Sequence, residues 1–84
     1  MPAAVPAMRR LILYTTDGCH LCEAAAALLR SMPELSRTPV IEVDIALDEA
    51  LVRRYGTRIP VIACGAREAT WPFNADDVLG LLQG

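Results

Sequence analysis

The chain has no lysine. Its eight Lys+Arg positions are all arginine, set against ten Asp and Glu and one histidine for a formal net charge of −2. Without an ammonium side chain there is no Schiff-base chemistry, no phosphate-loop lysine and no lysine to stabilise a thiolate. The arginines are dispersed and the balance is mildly acidic, so the basic stripe that a nucleic-acid backbone requires is absent and nucleic acid is not an expected partner. Long hydrophobic runs are missing as well. The longest, Ala24 to Leu29, falls far short of the ~20 apolar residues of a membrane-spanning helix, which predicts a soluble chain with no membrane contact.

Met1 to Met8 carries no basic residue ahead of an apolar core, so it does not have the pattern of a secretory signal. It is expected to be a disordered tail, with one domain over 9–84, and Met8 is an alternative start. Only three cysteines are present. An odd number without an export signal points to a reducing cytoplasm rather than a disulfide framework. With 84 residues, 54% of them hydrophobic, the composition fits one small globular domain and not collagen, coiled coil or disorder. A domain of this size buries only about 60–65% of its unfolded surface, so packing must be good.

What is present is alternation. Arg10 to Thr15 reads as a buried strand ending in the turn cluster Thr16-Asp17-Gly18. Leu21, Ala24, Ala25, Leu28, Leu29 and Met32 recur at helical spacing over Cys19 to Met32, and Pro33 stops that helix. Val40 to Ile45 reads as a second strand and Leu47 to Tyr55 as a second helix, with acids early, arginines late and Gly56 as its stop. The rhythm then changes. Pro60 to Cys64 and Arg67 to Trp71 flank the two-residue loop Gly65-Ala66, the signature of a type II′ hairpin. Asn74 is placed to cap a last helix over Ala75 to Leu82, with Asp76 and Asp77 in its first turn. The predicted order is βαβαββα, an α/β fold with the first two strands parallel and the third and fourth antiparallel.

Cys19-His20-Leu21-Cys22 follows the first strand and opens the first helix. In such a place a CxxC pair reads as a redox motif. Residues three apart share a face of the helix, so the two sulfurs close a small disulfide with little backbone movement. Cys19 lies where the unpaired N–H groups and the positive end of the helix favour thiolate, which makes it the attacking sulfur, and Cys22, one turn deeper, the resolving one. A metal or iron–sulfur site shared between two chains and a non-catalytic domain are the competing readings. A closed zinc site is not expected, because only Cys64 and His20 remain as further ligands.

Leu13-Tyr14-Thr15-Thr16-Asp17-Gly18-Cys19-His20-Leu21-Cys22, with Arg58-Ile59-Pro60-Val61, resembles the thioredoxin superfamily. The resemblance is nearest to glutaredoxins, and among them to a small bacterial glutaredoxin-like group, and it covers nearly all of the chain after the tail. It implies a thioredoxin-like βαβαββα sandwich whose four-stranded mixed sheet has the order second, first, third, fourth. It also implies a thiol–disulfide oxidoreductase that reduces protein or glutathione-mixed disulfides, the alternative being a non-catalytic module that grips a partner through the Pro60 groove. In the family the corresponding proline is cis and faces the CxxC, so Pro60 would turn the carbonyl and N–H of Ile59 toward an incoming peptide or glutathione backbone.

Three departures from the family pattern bear on the partner. His20-Leu21 stands where glutaredoxins usually have Pro-Tyr, Asp17 is the charge nearest the first cysteine in place of a lysine, and Trp71-Pro72-Phe73-Asn74 replaces a Gly-Gly segment before the last helix. Glutathione is therefore expected as a weak co-substrate, on the order of millimolar, with no tightly bound cofactor, no metal and a reductase as electron donor. Arg58 is the candidate for a substrate carboxylate and His20 for thiolate stabilisation or proton transfer, while Asp76 and Asp77 either meet glutathione's amino group or cap the helix. Cys64 is expected to be a small buried hydrophobe, and Tyr14, Trp71 and Phe73 to pack. A monomer is expected.

Overall fold

The computed structural model describes residues 10–83. The tail assigned to 1–8 and the alternative start at Met8 lie outside the described residues. The elements run β1 (Leu11–Thr15), α1 (His20–Arg30), a 3-10 turn (Pro33–Leu35), β2 (Val40–Asp44), a second 3-10 turn (Ile45–Leu47), α2 (Glu49–Tyr55), β3 (Val61–Cys64), β4 (Arg67–Thr70) and α3 (Ala75–Gln83). Together they form one mixed sheet in the order β2-β1-β3-β4. β1 pairs parallel with β2 and antiparallel with β3, and β3 pairs antiparallel with β4. This is the order that the alternation and the family resemblance imply.

Boundaries shift by a residue or two, and side-chain caps account for several of the shifts. The Asp44 carboxylate accepts the N–H of Ala46 at 2.9 Å, which ends β2 and starts a 3-10 turn where the sequence suggested one more strand residue. Asp48 accepts from Ala50 and Leu51, so α2 begins after it rather than at Leu47. Asn74 caps α3 as expected: its Oδ1 accepts the Asp77 N–H while the Asp77 carboxylate accepts the Asn74 N–H, each at 2.9 Å. Such a reciprocal cap satisfies two otherwise orphaned donors, and losing one side of it typically costs ~1 kcal/mol. The hairpin loop has Gly65 at φ +62° and no other residue of positive φ beside it, as a type II′ turn requires.

Alternation along the strands splits the core in two. Leu11 and Leu13 of β1 and Ile62 of β3 pack with Ala25 and Leu29 of α1 and Val78 and Leu81 of α3. Each fully buried aliphatic side chain there contributes about 1.5–3 kcal/mol by leaving water. On the other face Val61 packs with Ile45 and Tyr55, flanked by Tyr14, Leu51 and Ile59. Tyr14 and Trp71 are packing residues, and Phe73 is 6% exposed. No helix among the described residues is long and apolar enough to cross a membrane.

The topology carries one consequence for the site. β1, β2 and β4 all run toward the same end of the sheet, and each is followed by a helix. The N-termini of α1, α2 and α3 therefore gather at that end, beside the CxxC.

Candidate functional site

Gly18, at φ +76°, lets the chain turn sharply out of β1. A Cβ there would meet nothing within 4 Å, so it is the left-handed backbone and not crowding that calls for glycine. Cys19 follows as the N-cap of α1, with φ −97° and ψ 107°. Its carbonyl accepts the Glu23 N–H at 3.0 Å, the first helical bond. Its Sγ accepts the Cys22 N–H at 3.1 Å, as a capping side chain does.

Cys19 and Cys22 are joined in a disulfide with their Cα atoms 5.2 Å apart, inside the ordinary range for such a bond. The two sulfurs differ in access. Cys19 is half-buried, whereas Cys22 is 3% exposed and faces the core with Ala25 and Leu29. Cys19 is therefore the more accessible of the two sulfurs, at the N-terminus of α1, and Cys22 lies one turn behind it.

Cys64 is elsewhere. β3 runs antiparallel to β1 with Ala63 opposite Ile12, which sets Cys64 level with Leu11 at the far end of the sheet. Four strand steps of ~3.3 Å separate that level from Thr15, about 13 Å in all. The Cys64 thiol is free, half-buried and packed against the main core, in keeping with its expected role as a small hydrophobe.

Pro60 is buried and continues the β1–β3 register to lie across from Thr15, next to the CxxC turn. The Ile59–Pro60 peptide is cis, as is Trp71–Pro72. The Pro60 carbonyl accepts the Trp71 N–H at 3.1 Å, which ties the start of the α3 connection to the same end. One expectation changes here. The Ile59 N–H donates to the Tyr55 carbonyl at 3.1 Å, so it is engaged inside the protein rather than offered to an incoming backbone.

Arg58 is likewise engaged. Its guanidinium donates to Glu68 Oε1 at 3.1 Å and to Thr70 Oγ1 at 3.4 Å, and it lies 5.4 Å from the centre of the Tyr55 ring. Glu68 also accepts from the Tyr55 hydroxyl and stands 3.7 Å from Arg54. Tyr55 in turn stacks on Tyr14 with ring centres 4.2 Å apart. Burial first, and then the hydrogen bond to Glu68, push the Tyr55 phenol up to about 12. The same hydrogen bond, joined by Arg58, holds the Glu68 carboxyl below its ordinary value. Sequence reading missed both Glu68 and Tyr55 as the partners of Arg58. The usable signal was alternation in β4, which places Glu68 and Thr70 on the face opposite Ala69.

The remaining candidates lie around the same end. His20 is exposed at the first position of α1, and Asp76 is exposed in the first turn of α3. The Asp77 carboxylate is engaged in the cap with Asn74. An open groove of about 330 Å³ runs between α1 and the β2 edge, and its walls include Thr16, Asp17, Cys22, Glu23 and Asp44. Asp44 also accepts a hydrogen bond from the Thr16 hydroxyl at 3.1 Å, which fixes one wall of the groove to the turn before Cys19.

This arrangement can be set beside known proteins. The family model described as glutaredoxin-like domain (DUF836) matches residues 10–83. A comparison with curated proteins finds no match. Among solved structures, a structural-genomics target protein from X. campestris is 36% identical, with a TM-score of 0.68 over 87% of this chain and 95% of that one. A protein from Nitrosomonas europaea, solved by solution NMR, is 35% identical, with a TM-score of 0.70 over 86% of this chain and 87% of its own. The fold shared with these neighbours is thioredoxin-like. Since the family model spans nearly the whole chain and both relatives are more than 30% identical over most of it, the chain belongs to the glutaredoxin-like domain (DUF836) family.

Proposed function

We propose that the protein is a thiol–disulfide oxidoreductase that reduces disulfides in proteins, or mixed disulfides with glutathione, through Cys19 and Cys22. The observation that carries this reading is the disulfide itself, at the start of a helix, with one sulfur accessible and its partner buried. The Cys19 thiolate attacks a substrate disulfide and one substrate thiolate leaves. Cys22 then attacks Cys19 Sγ, the second substrate thiol is released, and the Cys19–Cys22 disulfide forms. Two electrons pass from the protein dithiol to the substrate, and an external dithiol or glutathione restores them.

Glutathione is a weak co-substrate in this reading, with binding on the order of millimolar. Two groups suited to its charges are already engaged, Arg58 by Glu68 and Asp77 by Asn74. The protein acts as a monomer in a reducing compartment such as the cytoplasm, with a reductase regenerating the dithiol. Insulin reduction by the purified protein tests the redox reading. Wild type is expected to catalyse it and Cys19→Ser to be inert. Equal activity of the two would leave a non-catalytic module that grips partners beside Pro60.

A further inference from the structure

The substrate class of this site can be narrowed by charge. Seven carboxylates stand at the disulfide end of the sheet: Asp17 in the turn before Cys19, Glu23 in the first turn of α1, Asp44 at the end of β2, Asp48 at the cap of α2 and Glu49 in its first turn, and Asp76 and Asp77 at the start of α3. All but Asp44 are exposed. Arg58 and Arg54 share the single carboxylate of Glu68, which leaves one positive charge between them. Three helices also begin at this end, each N-terminus worth only about half a positive charge. Seven carboxylate charges outweigh three halves and one arginine, so this end of the sheet is net negative.

A channel for that field adjoins the disulfide. The groove of about 330 Å³ starts at Cys22 and is walled by Asp17, Glu23, Glu42 and Asp44, with Arg30 as its cation. None of these four carboxylates is ion-paired to a described arginine. A partly enclosed cleft lined by one sign of charge concentrates ligands of the other sign and speeds their encounter, by a factor of ten or more at low salt.

We infer that the preferred substrate is a peptide or protein disulfide whose cysteines are flanked by arginine or lysine, with one cationic side chain seated in the groove beside Cys22, and that anionic disulfides such as glutathione disulfide are disfavoured. The site is the Cys19–Cys22 pair, and the carboxylates select what reaches it. The inference rests on the redox reading above. In the exchange the Cys19 thiolate attacks one sulfur of the cationic disulfide and the other sulfur departs as a thiolate that takes a proton from water. Cys22 then gives up its proton and closes the protein disulfide as the second peptide thiol leaves, so one dithiol is consumed for each disulfide reduced.

The test is a single-turnover reaction. The protein is reduced with dithiothreitol, desalted, and mixed with three peptide disulfides of equal length, flanked by lysine, alanine or glutamate, and separately with glutathione disulfide. At about 0.01 M ionic strength, where charges are felt over ~30 Å, the lysine peptide is expected to react about tenfold or more faster than the glutamate peptide. At about 1 M salt, where the range is ~3 Å, the ratio is expected to fall toward one. The triple variant Asp17→Asn, Glu23→Gln, Asp76→Asn is expected to lower the low-salt ratio severalfold. Rates within twofold of one another at low salt, or a ratio that ignores salt, overturn the charge inference and leave the redox reading standing. Failure to reduce any of the four disulfides overturns both.

Discussion

The two ends of the sheet are opposites in charge and in chemistry. The disulfide end holds the CxxC, three helix N-termini and seven carboxylates. The far end holds Arg10 before β1, Arg30 at the close of α1, Arg37 before β2 and Arg67 at the start of β4, against Glu34 and, next to Arg67, Glu68. Helix stability explains much of the split. Acids in a first turn and bases in a last turn each gain about 0.3–1 kcal/mol from the helix dipole, and the topology starts every helix at one end. This accounts for the acidic pole, where Glu23, Glu49, Asp76 and Asp77 lie in first turns, whereas among the far-end arginines only Arg30 lies in a last turn. Cys19 lies at the negative pole, so the helix dipole, which favours a thiolate there, and the carboxylates, which oppose one, act on the same sulfur.

The sharpest way to break the comparison is to exchange cysteine for serine at each end. Cys19→Ser is expected to abolish insulin reduction, and Cys22→Ser to accumulate mixed disulfides at Cys19, visible by mass spectrometry. Cys64→Ser, at the far end, is expected to keep activity within about twofold, since its small half-buried side chain sits about 13 Å below the level of Thr15, with the CxxC beyond it. Activity lost in a folded Cys64→Ser would join the two ends functionally and sink the division.

A second probe is Glu68, which holds together the groups behind Pro60. Glu68→Ala leaves the Tyr55 hydroxyl, buried with its ring, without its acceptor and frees Arg58 and Arg54 at once. Destabilisation of about 1–3 kcal/mol is expected from the orphaned hydroxyl, read by urea unfolding. Releasing Arg58 also adds a free cation near the disulfide end, so the preference for lysine-flanked over glutamate-flanked disulfides is expected to narrow. A Glu68→Ala protein as stable as wild type would show that the network is dispensable.

The sequence made the disulfide end readable and left the Glu68 network hidden, for a physical reason. CxxC spacing, the Thr16-Asp17-Gly18 turn, the Asn74 cap and the Gly65-Ala66 hairpin are all local signals, where neighbours along the chain decide the outcome. Strand order followed from alternation and from the resemblance. The clamp on Arg58 is built from contacts ten to fourteen positions apart, from Arg54, Tyr55 and Arg58 across to Glu68 and Thr70, brought together only once β4 pairs with β3. Arg58 was therefore read as a free carboxylate ligand, and Ile59 as offering an N–H that Tyr55 has taken. Long-range pairing decides which polar groups are still available, and no spacing rule reports it.

Two glycines sharpen the comparison at smaller scale. Gly18 and Gly65 both have positive φ, at 76° and 62°, and both have open space where a Cβ would go. Gly18→Ala and Gly65→Ala are each expected to cost roughly 1–2 kcal/mol from left-handed backbone alone. Only the change at Gly18 reorients the cap at Cys19, so only it is expected to slow alkylation of Cys19 in the reduced protein. Equal slowing in both variants would mean that stability, and not local geometry, sets the reactivity.

The smallest effect is read from pH. The Tyr55 phenol is raised from 10.0 to about 12 by burial and then by its hydrogen bond to Glu68. Between those values the unfolded chain has lost the phenolic proton while the folded chain keeps it. The unfolded state then binds fewer protons, and stability falls as pH rises from about 10 to about 12. The Glu68 carboxyl is held below its ordinary value of 4.5 by the Tyr55 hydrogen bond and Arg58. Its contribution is present above that value and is lost as pH falls through the lower folded one. Tyr55→Phe is expected to remove the alkaline slope and to weaken the acid one, as measured by urea midpoints across the two ranges. In the wild type, tyrosinate absorbance is expected to show a late step near 12 that is lost in Tyr55→Phe. If the Tyr55→Phe change removes absorbance near 10 instead, Tyr55 is neither buried nor bonded in solution as it is in the structure, and the clamp on Arg58 is absent.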